Sequence, residues 1–146
     1  MKTLTILLTD GPYISEYAEI AYKLAEAALK KYRVNIFLYL DAVHIPKKGQ
    51  NPSFFSNTGE LFSGLAEKGV IIRACARCAA ARGYLIEENR ANLDEIRVEA
   101  LGEDFVEGKI VRESNCKDYF PGIRITSLYE LSEMLSKSDK VISLSR

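Results

Sequence analysis

Two cysteines lie three positions apart in the middle of the chain, where an apolar run gives way to an alanine-rich one. The apolar residues 70–74 predict a strand, and Cys75 follows it directly. Cys78 then lies in the first turn of a predicted helix, residues 76–82, that ends at Gly83. Unpaired backbone N–H groups at a helix N-terminus favour an anion. We therefore expect the pKa of Cys75 to fall and its thiolate to act as a nucleophile at neutral pH.

Three other side chains are candidates for roles beside these thiols. His44, the single histidine, follows the second predicted strand, whose carboxyl end lies at the same edge of the sheet. It is a candidate general base or charge partner for Cys75, with a plain surface loop residue as the alternative. Arg77 and Arg82 are either solvated helix charges, or one of them steadies a thiolate or docks an acidic carrier protein.

A metal site is a further hypothesis. Cys75, Cys78, Cys116 and His44 would supply three sulfur ligands and one nitrogen, but their spacing matches no recognised zinc finger. The turn at residues 10–12 contains too few glycines to cradle a phosphate. We therefore predict neither a metal nor a cofactor.

The amino-acid composition of the chain argues against several classes of function. The 146 residues suit one domain, 1–146, and 47% hydrophobic content supports a substantial core. Twenty basic residues balance twenty acidic ones, so the basic excess of a nucleic-acid-binding protein is missing. No apolar run approaches the roughly 20 residues of a membrane span. Residues 1–8 predict a strand rather than a signal peptide, and the three cysteines are expected to be reduced thiols in the cytoplasm.

Strand and helix patterns alternate along the chain. Ser15 and Ser127 are predicted N-caps, and Glu130 would complete a capping box with Ser127. The predicted fold class is α/β: a three-layer sandwich with a mostly parallel central sheet and an insertion before the last strand–helix–strand unit. Its predicted strands are 3–8, 34–40, 70–74, 123–125 and 141–144; its helices are 15–31, 59–68, 76–82, 88–93 and 127–137; the insertion, a β-hairpin or irregular segment, is 96–121.

A polar loop, residues 41–58, interrupts the pattern and is longer than most connections, which is typical of a lid or partner surface. We expect Phe54 and Phe55 within it to pack inward or onto a neighbouring subunit.

Several of these segments together resemble the DsrE/DsrF-like superfamily, which includes the TusD-like proteins of the bacterial sulfur relay. The likeness covers most of the chain, and its most specific element is the spacing from Cys75 to Arg82-Gly83. It also includes the opening strand with residues 9–12, residues 40–43 after the second strand, Gly69-Val70, and the ending from residue 125 to 142. Cys78 and the insertion depart from the compact pattern of the superfamily.

The resemblance implies sulfur transfer, with Cys75 matching the cysteine that carries a persulfide from one protein to another. Cys78 then has two alternatives: it resolves the persulfide by attack, or it simply packs. The resemblance also implies donor and acceptor proteins as partners and a homo-oligomer, a dimer, trimer or hexamer. The alternative functions are a non-catalytic subunit or small-ligand binding module, and third a metal-binding or thiol-redox sensor.

Overall fold

A computed structural model describes residues 1–84 and 114–146 of the chain. Strands and helices alternate through both parts, and a 3₁₀ helix, Leu40–His44, follows the second strand. The strands are β1 (Lys2–Leu8), β2 (Tyr32–Leu38), β3 (Ile71–Cys75), β4 (Ser114–Asn115), β5 (Arg124–Thr126) and β6 (Lys140–Leu144); the α-helices are α1 (Tyr17–Ala28), α2 (Thr58–Glu67), α3 (Ala76–Ala81) and α4 (Leu128–Lys137).

The strands of the described residues form one sheet in the order β4-β5-β3-β2-β1-β6. Five of them run parallel, and only the two-residue β4 is antiparallel, to β5. The predicted α/β sandwich with a mostly parallel sheet is therefore confirmed. Because parallel strands end at one edge, the carboxyl ends of β2, β3 and β5 lie side by side, which is where ligands bind in such folds.

Helices cover both faces of the sheet. On β1 the buried residues Leu4, Ile6 and Leu8 alternate with Thr5, whose hydroxyl group lies 3.5 Å from the carbonyl oxygen of Met134 in α4. The helix α4 therefore lies on the Thr5 face, and α1 and α2, which contact each other, lie on the opposite one. The short α3 begins directly at the end of β3.

Neither predicted N-cap serine makes the capping hydrogen bond that the sequence predicts. The first helix begins at Tyr17 with Glu16 as its N-cap, and the Ser15 hydroxyl accepts the amide of Tyr17 instead of capping. Ser127 is the N-cap of α4 as expected, but its side chain makes no capping hydrogen bond, so the predicted capping box is wrong.

The predicted helix 88–93 and most of the insertion 96–121 lie outside the described residues. The described end of the insertion, from residue 114, contains β4 and a turn in which Tyr119 forms an antiparallel bridge with Lys47. None of the described helices is both long and apolar enough to cross a bilayer.

Candidate functional site

Cys75 and Cys78 line one open cleft at the carboxyl edge of the sheet. Cys75 is the last residue of β3 and the N-cap of α3, and Cys78 lies within the first turn of that helix. Their side chains are 1% and 8% exposed, and both are free thiols. The cleft has a volume of about 410 Å³, and Tyr39, Arg77, Ala81, Arg82 and Leu128 complete its wall. The structure thus brings the two sequence-predicted thiols to the same solvent-connected surface.

The sulfur of Cys78 has a specific backbone partner. The amide of Leu40, in the 3₁₀ helix after β2, donates a hydrogen bond to Cys78 Sγ at 3.2 Å. Leu40 has a φ of 54°, in the left-handed region that leucine rarely adopts. Leu40 therefore makes its hydrogen bond to the thiol from a backbone conformation that is unfavourable for leucine.

The two arginines of the cleft differ in their surroundings. Arg82 Nε forms an ion pair with Asp41 Oδ1 at 2.8 Å, and its Nη1 donates to the carbonyl oxygen of Cys78 at 3.0 Å. Arg82 therefore links α3 to the 3₁₀ helix. Arg77 is exposed, and within the described ranges no acidic side chain forms an ion pair with it. Its charge is available to an anion that enters the cleft.

The free thiol of Cys75 is not acidic, contrary to the expectation from the helix N-terminus. Burial raises the pKa of Cys75 to about 12, and the neighbouring thiol of Cys78 acts in the same direction. The backbone N–H groups of Cys78 and Arg77 do lower this pKa, but burial outweighs them. The predicted fall in the pKa of Cys75 is therefore wrong for the unloaded protein, although the predicted amide donors are present.

His44 contacts a tyrosine beside the cleft. It lies in the 3₁₀ helix, where its Nδ1 is hydrogen bonded to the Tyr84 hydroxyl at 2.5 Å, and the two rings meet edge to face. Burial lowers the pKa of His44, and Arg82 acts in the same direction, so the neutral imidazole is favoured. His44 is not among the residues that line the cleft, and its role as a base for Cys75 stays a prediction.

Cys116 belongs to a buried cluster with two tyrosines. Its thiol donates to the Tyr84 carbonyl oxygen at 3.1 Å, and Tyr84 packs on Tyr119 with 5.1 Å between ring centroids. Burial raises the pKa of Tyr119, and its electrostatic interactions with the thiols of Cys116, Cys75 and Cys78 act in the same direction. The tertiary structure therefore brings Cys116 next to these two tyrosines, and Cys116 does not line the cleft with Cys75 and Cys78.

The predicted alternative of a metal site fails on geometry. Between residues 1 and 84 and from 114 onward, no group of three or more histidine, cysteine, aspartate or glutamate side chains is placed to hold a metal ion. Cys75, Cys78, Cys116 and His44 all belong to these ranges, so they do not form a ligand set together.

Two hydroxyl groups near Cys75 were missed by sequence reasoning as site residues. Thr126 pairs in register with Cys75 across β5 and β3, and Ser127 follows it. The side-chain oxygens of both residues are buried and have no hydrogen-bond partner in the described structure. Sequence reasoning gives Ser127 only a capping role and Thr126 none, because no local pattern reports the pairing of β5 with β3 that brings Thr126 beside Cys75.

The loop 41–58 contains an exposed aromatic pair. Phe54 is 96% exposed and Phe55 59%, and Phe55 packs on Tyr13 with 5.7 Å between ring centroids. The expectation that these side chains pack inward is therefore wrong, and contact with a neighbouring subunit stays a prediction.

Comparison with known proteins agrees with this architecture. The model of the DsrE/DsrF-like family matches residues 2–144. The chain belongs to the DsrE/DsrF-like family. The resemblance seen in the sequence is thereby confirmed over nearly the whole chain, and the Cys75 cleft is the candidate site of this family member.

Two relatives of this DsrE/DsrF-like chain come from Methanopyrus kandleri and Methanocaldococcus jannaschii. The uncharacterized protein MK0008 of Methanopyrus kandleri is 31% identical over 143 residues, which is 97% of this chain and 93% of that protein. The uncharacterized protein MJ0989 of Methanocaldococcus jannaschii is 39% identical over 85 residues, 58% of this chain and 75% of that protein. The crystal structure of the ychN protein from E. coli superposes with a TM-score of 0.69 at 21% identity, covering 99% of this chain and 100% of the other, which shows a shared fold.

Proposed function

We propose that this protein is a cytoplasmic sulfur carrier, or sulfurtransferase, that takes persulfide sulfur onto Cys75 and passes it to an acceptor protein. The observation that carries the proposal is the shared cleft of Cys75 and Cys78, which lies at the carboxyl edge of a parallel sheet and includes two arginines. Membership of the DsrE/DsrF-like family supports a function related to the sulfur relay.

The transfer step balances without an added oxidant. The sulfur of Cys75 attacks the outer sulfur of a donor persulfide, the donor S–S bond breaks, and a new S–S bond forms on Cys75. The proton that Cys75 gives up ends on the departing donor thiol. Because the pKa of Cys75 is about 12, this thiol is mostly protonated at neutral pH, and its proton has to leave before or during the attack.

Under this proposal, Cys78 releases the sulfur again. Attack of the Cys78 sulfur on Cys75 Sγ in the persulfide would form a Cys75–Cys78 disulfide and expel hydrogen sulfide. The amide of Leu40 is hydrogen bonded to Cys78 Sγ, and this contact orients the sulfur within the cleft. Transfer to an acceptor thiol would instead regenerate Cys75 unchanged.

Two features support protein partners. The Arg77 charge at the rim of the cleft suits an acidic donor or acceptor protein. The exposed Phe54 and Phe55 suit a contact with another subunit, in a homo-oligomer such as a dimer, trimer or hexamer.

The intact mass of the reduced protein after incubation with glutathione persulfide tests the proposal. We expect the gain of one sulfur atom in the wild type, its loss in Cys75→Ser, and a longer-lived adduct in Cys78→Ser. Cys116→Ser is the matched control, because Cys116 is also a buried free thiol but lies outside the cleft. An adduct that persists in Cys75→Ser would contradict the role of Cys75.

The second candidate is a non-catalytic subunit or small-ligand binding module, and the near-complete burial of Cys75 favours it. Under this alternative the wild type would gain no sulfur from glutathione persulfide, and all three cysteine variants would behave alike.

A further inference from the structure

Two buried hydroxyl groups at the end of β5 lack the hydrogen bonds that such groups normally make. Thr126 is 0% exposed and Ser127 2%, and neither Oγ atom has a partner within residues 1–84 and 114–146. Most buried hydroxyl groups in native structures are hydrogen bonded, because leaving one unpaired is unfavourable. Two neighbouring exceptions indicate a partner that is absent from the unloaded protein.

The sheet register places the first of these hydroxyls beside the candidate nucleophile. Cys75 and Thr126 are paired on the parallel strands β3 and β5. Paired residues on adjacent strands project to the same face of a sheet, so the Thr126 side chain shares the face of the Cys75 side chain. Leu128, two residues further along, lines the cleft with both thiols.

The second hydroxyl is free because it does not cap its helix. A serine at an N-cap usually accepts the amide of the third helical residue with its side-chain oxygen. Here the amide of Glu130 bonds to the carbonyl oxygen of Ser127 at 3.1 Å, and Ser127 Oγ makes no capping bond. The side chain thus retains its donor and its acceptor at the carboxyl edge of the sheet. Thr126 and Ser127 are buried and do not line the open cleft themselves.

We propose that Thr126 and Ser127 donate their hydroxyl groups to the terminal sulfur of a persulfide on Cys75. This inference rests on the proposed function and adds the residues that bind the carried sulfur. A persulfide places a second sulfur about 2 Å beyond Sγ. That sulfur brings lone pairs, and a negative charge when it is ionised, to the two buried donors, so it supplies the acceptor that the unloaded thiol does not. Loading then gives both buried hydroxyl groups a hydrogen-bond partner.

The proposal predicts opposite effects on folding and on sulfur binding. Removing a hydroxyl that is unpaired in the unloaded protein should leave its stability unchanged or higher, whereas it should weaken binding of the loaded sulfur. Losing a hydrogen bond to a charged group changes an equilibrium by about tenfold or more. A purely structural hydroxyl would show the reverse: lower stability and unchanged loading.

The test measures the loaded fraction of Cys75 by intact mass at a fixed ratio of glutathione persulfide to glutathione. All proteins carry Cys78→Ser, so that resolution cannot remove the adduct. We expect the ratio of loaded to unloaded protein to fall about tenfold in Thr126→Val and in Ser127→Ala, and to recover in Thr126→Ser. The urea midpoint of unloaded Thr126→Val should match or exceed that of the parent.

Thr5→Val is the matched control, because Thr5 is equally buried but its hydroxyl is hydrogen bonded to Ser138. It should lower the urea midpoint and leave loading unchanged. Equal loading in the parent, Thr126→Val and Ser127→Ala would overturn the inference and leave the proposed function standing. A loss of loading that follows a lower midpoint and is not rescued by Thr126→Ser would also overturn it. A parent that takes no sulfur would refute the proposed function and this inference with it.

Discussion

The amide of Leu40 donates a hydrogen bond to Cys78 Sγ at 3.2 Å, and this contact links the end of β2 to the first turn of α3. Leu40 makes it from a left-handed backbone conformation, with a φ of 54°. Such a conformation costs a residue other than glycine about 1–2 kcal/mol. The backbone is therefore strained at Leu40, the residue whose amide is hydrogen bonded to the second thiol of the cleft.

Substitutions at Leu40 should separate this strain from side-chain packing. Asparagine tolerates the left-handed region, so Leu40→Asn is expected to be as stable as the wild type or slightly more so. Valine is branched at Cβ, so Leu40→Val should lose about 1–2 kcal/mol of unfolding free energy. Urea unfolding measures both. Equal stability of the two variants would show that the backbone at Leu40 is not strained.

The pKa of Cys75 predicts a steep pH dependence of its alkylation. With a pKa of about 12, only a small fraction of Cys75 is thiolate at neutral pH, and that fraction rises about tenfold per pH unit. The rate of reaction with iodoacetamide, followed by peptide mapping, should therefore rise without a plateau from pH 7 to pH 10. A plateau below pH 9 would mean that the backbone amides outweigh burial after all.

Arg77 should make the cleft selective for anionic reagents. In Arg77→Gln we expect the rate of cysteine alkylation by iodoacetate to fall about fivefold, because an exposed charge contributes on the order of 1 kcal/mol at contact distance. The rate with neutral iodoacetamide should change less than about twofold. At high salt, the wild type and Arg77→Gln should react with iodoacetate at the same rate.

Lys23→Gln is the control for Arg77→Gln, because Lys23 is an exposed cation on α1 and does not line the cleft. It should leave both alkylation rates unchanged. If Lys23→Gln slows iodoacetate as much as Arg77→Gln does, the effect belongs to the net charge of the protein and not to the cleft.

Two glycines of α2 should respond to alanine in opposite directions. A Cβ atom on Gly59 would lie 2.7 Å from the Phe120 ring and 2.8 Å from the Lys47 carbonyl oxygen, so Gly59→Ala should lose about 1–3 kcal/mol of stability. A Cβ atom on Gly64 meets nothing within 4 Å, so Gly64→Ala should gain about 0.5–1 kcal/mol through the higher helix propensity of alanine. Thermal unfolding of the two variants checks this. Destabilisation by both would indicate that Gly64 is in tighter surroundings than the structure shows.

Local sequence patterns were sufficient for most of the fold. The predicted strands and helices within the described residues all exist, because apolar periodicity and turn residues act over a few positions. The end of the strand before Cys75 was also predicted, and with it the place of the thiol at the carboxyl edge. Helix starts were less certain: at Ser15 and Ser127 the choice between a side-chain cap and a backbone bond depends on small local differences in geometry.

The acidity of Cys75 shows where local reasoning failed. The N–H groups of Arg77 and Cys78 were inferred correctly from the helix start, and they do lower the pKa. The larger effect, burial, comes from the packing of the whole domain around the end of β3. No local pattern reports how completely a residue is desolvated, so the sign of the shift could not be predicted.

The sequence by itself determined the fold class, the family and the spacing of Cys75, Cys78 and Arg82, since strand and helix patterns and motif spacings can be read directly along the chain. Only the tertiary structure decided which distant residues surround the thiols. Strand pairing brought Thr126 to Cys75, and the 3₁₀ helix after β2 brought the Leu40 amide to Cys78. These contacts join segments far apart in sequence, because they follow from the order of strands in the sheet and from close packing at its edge.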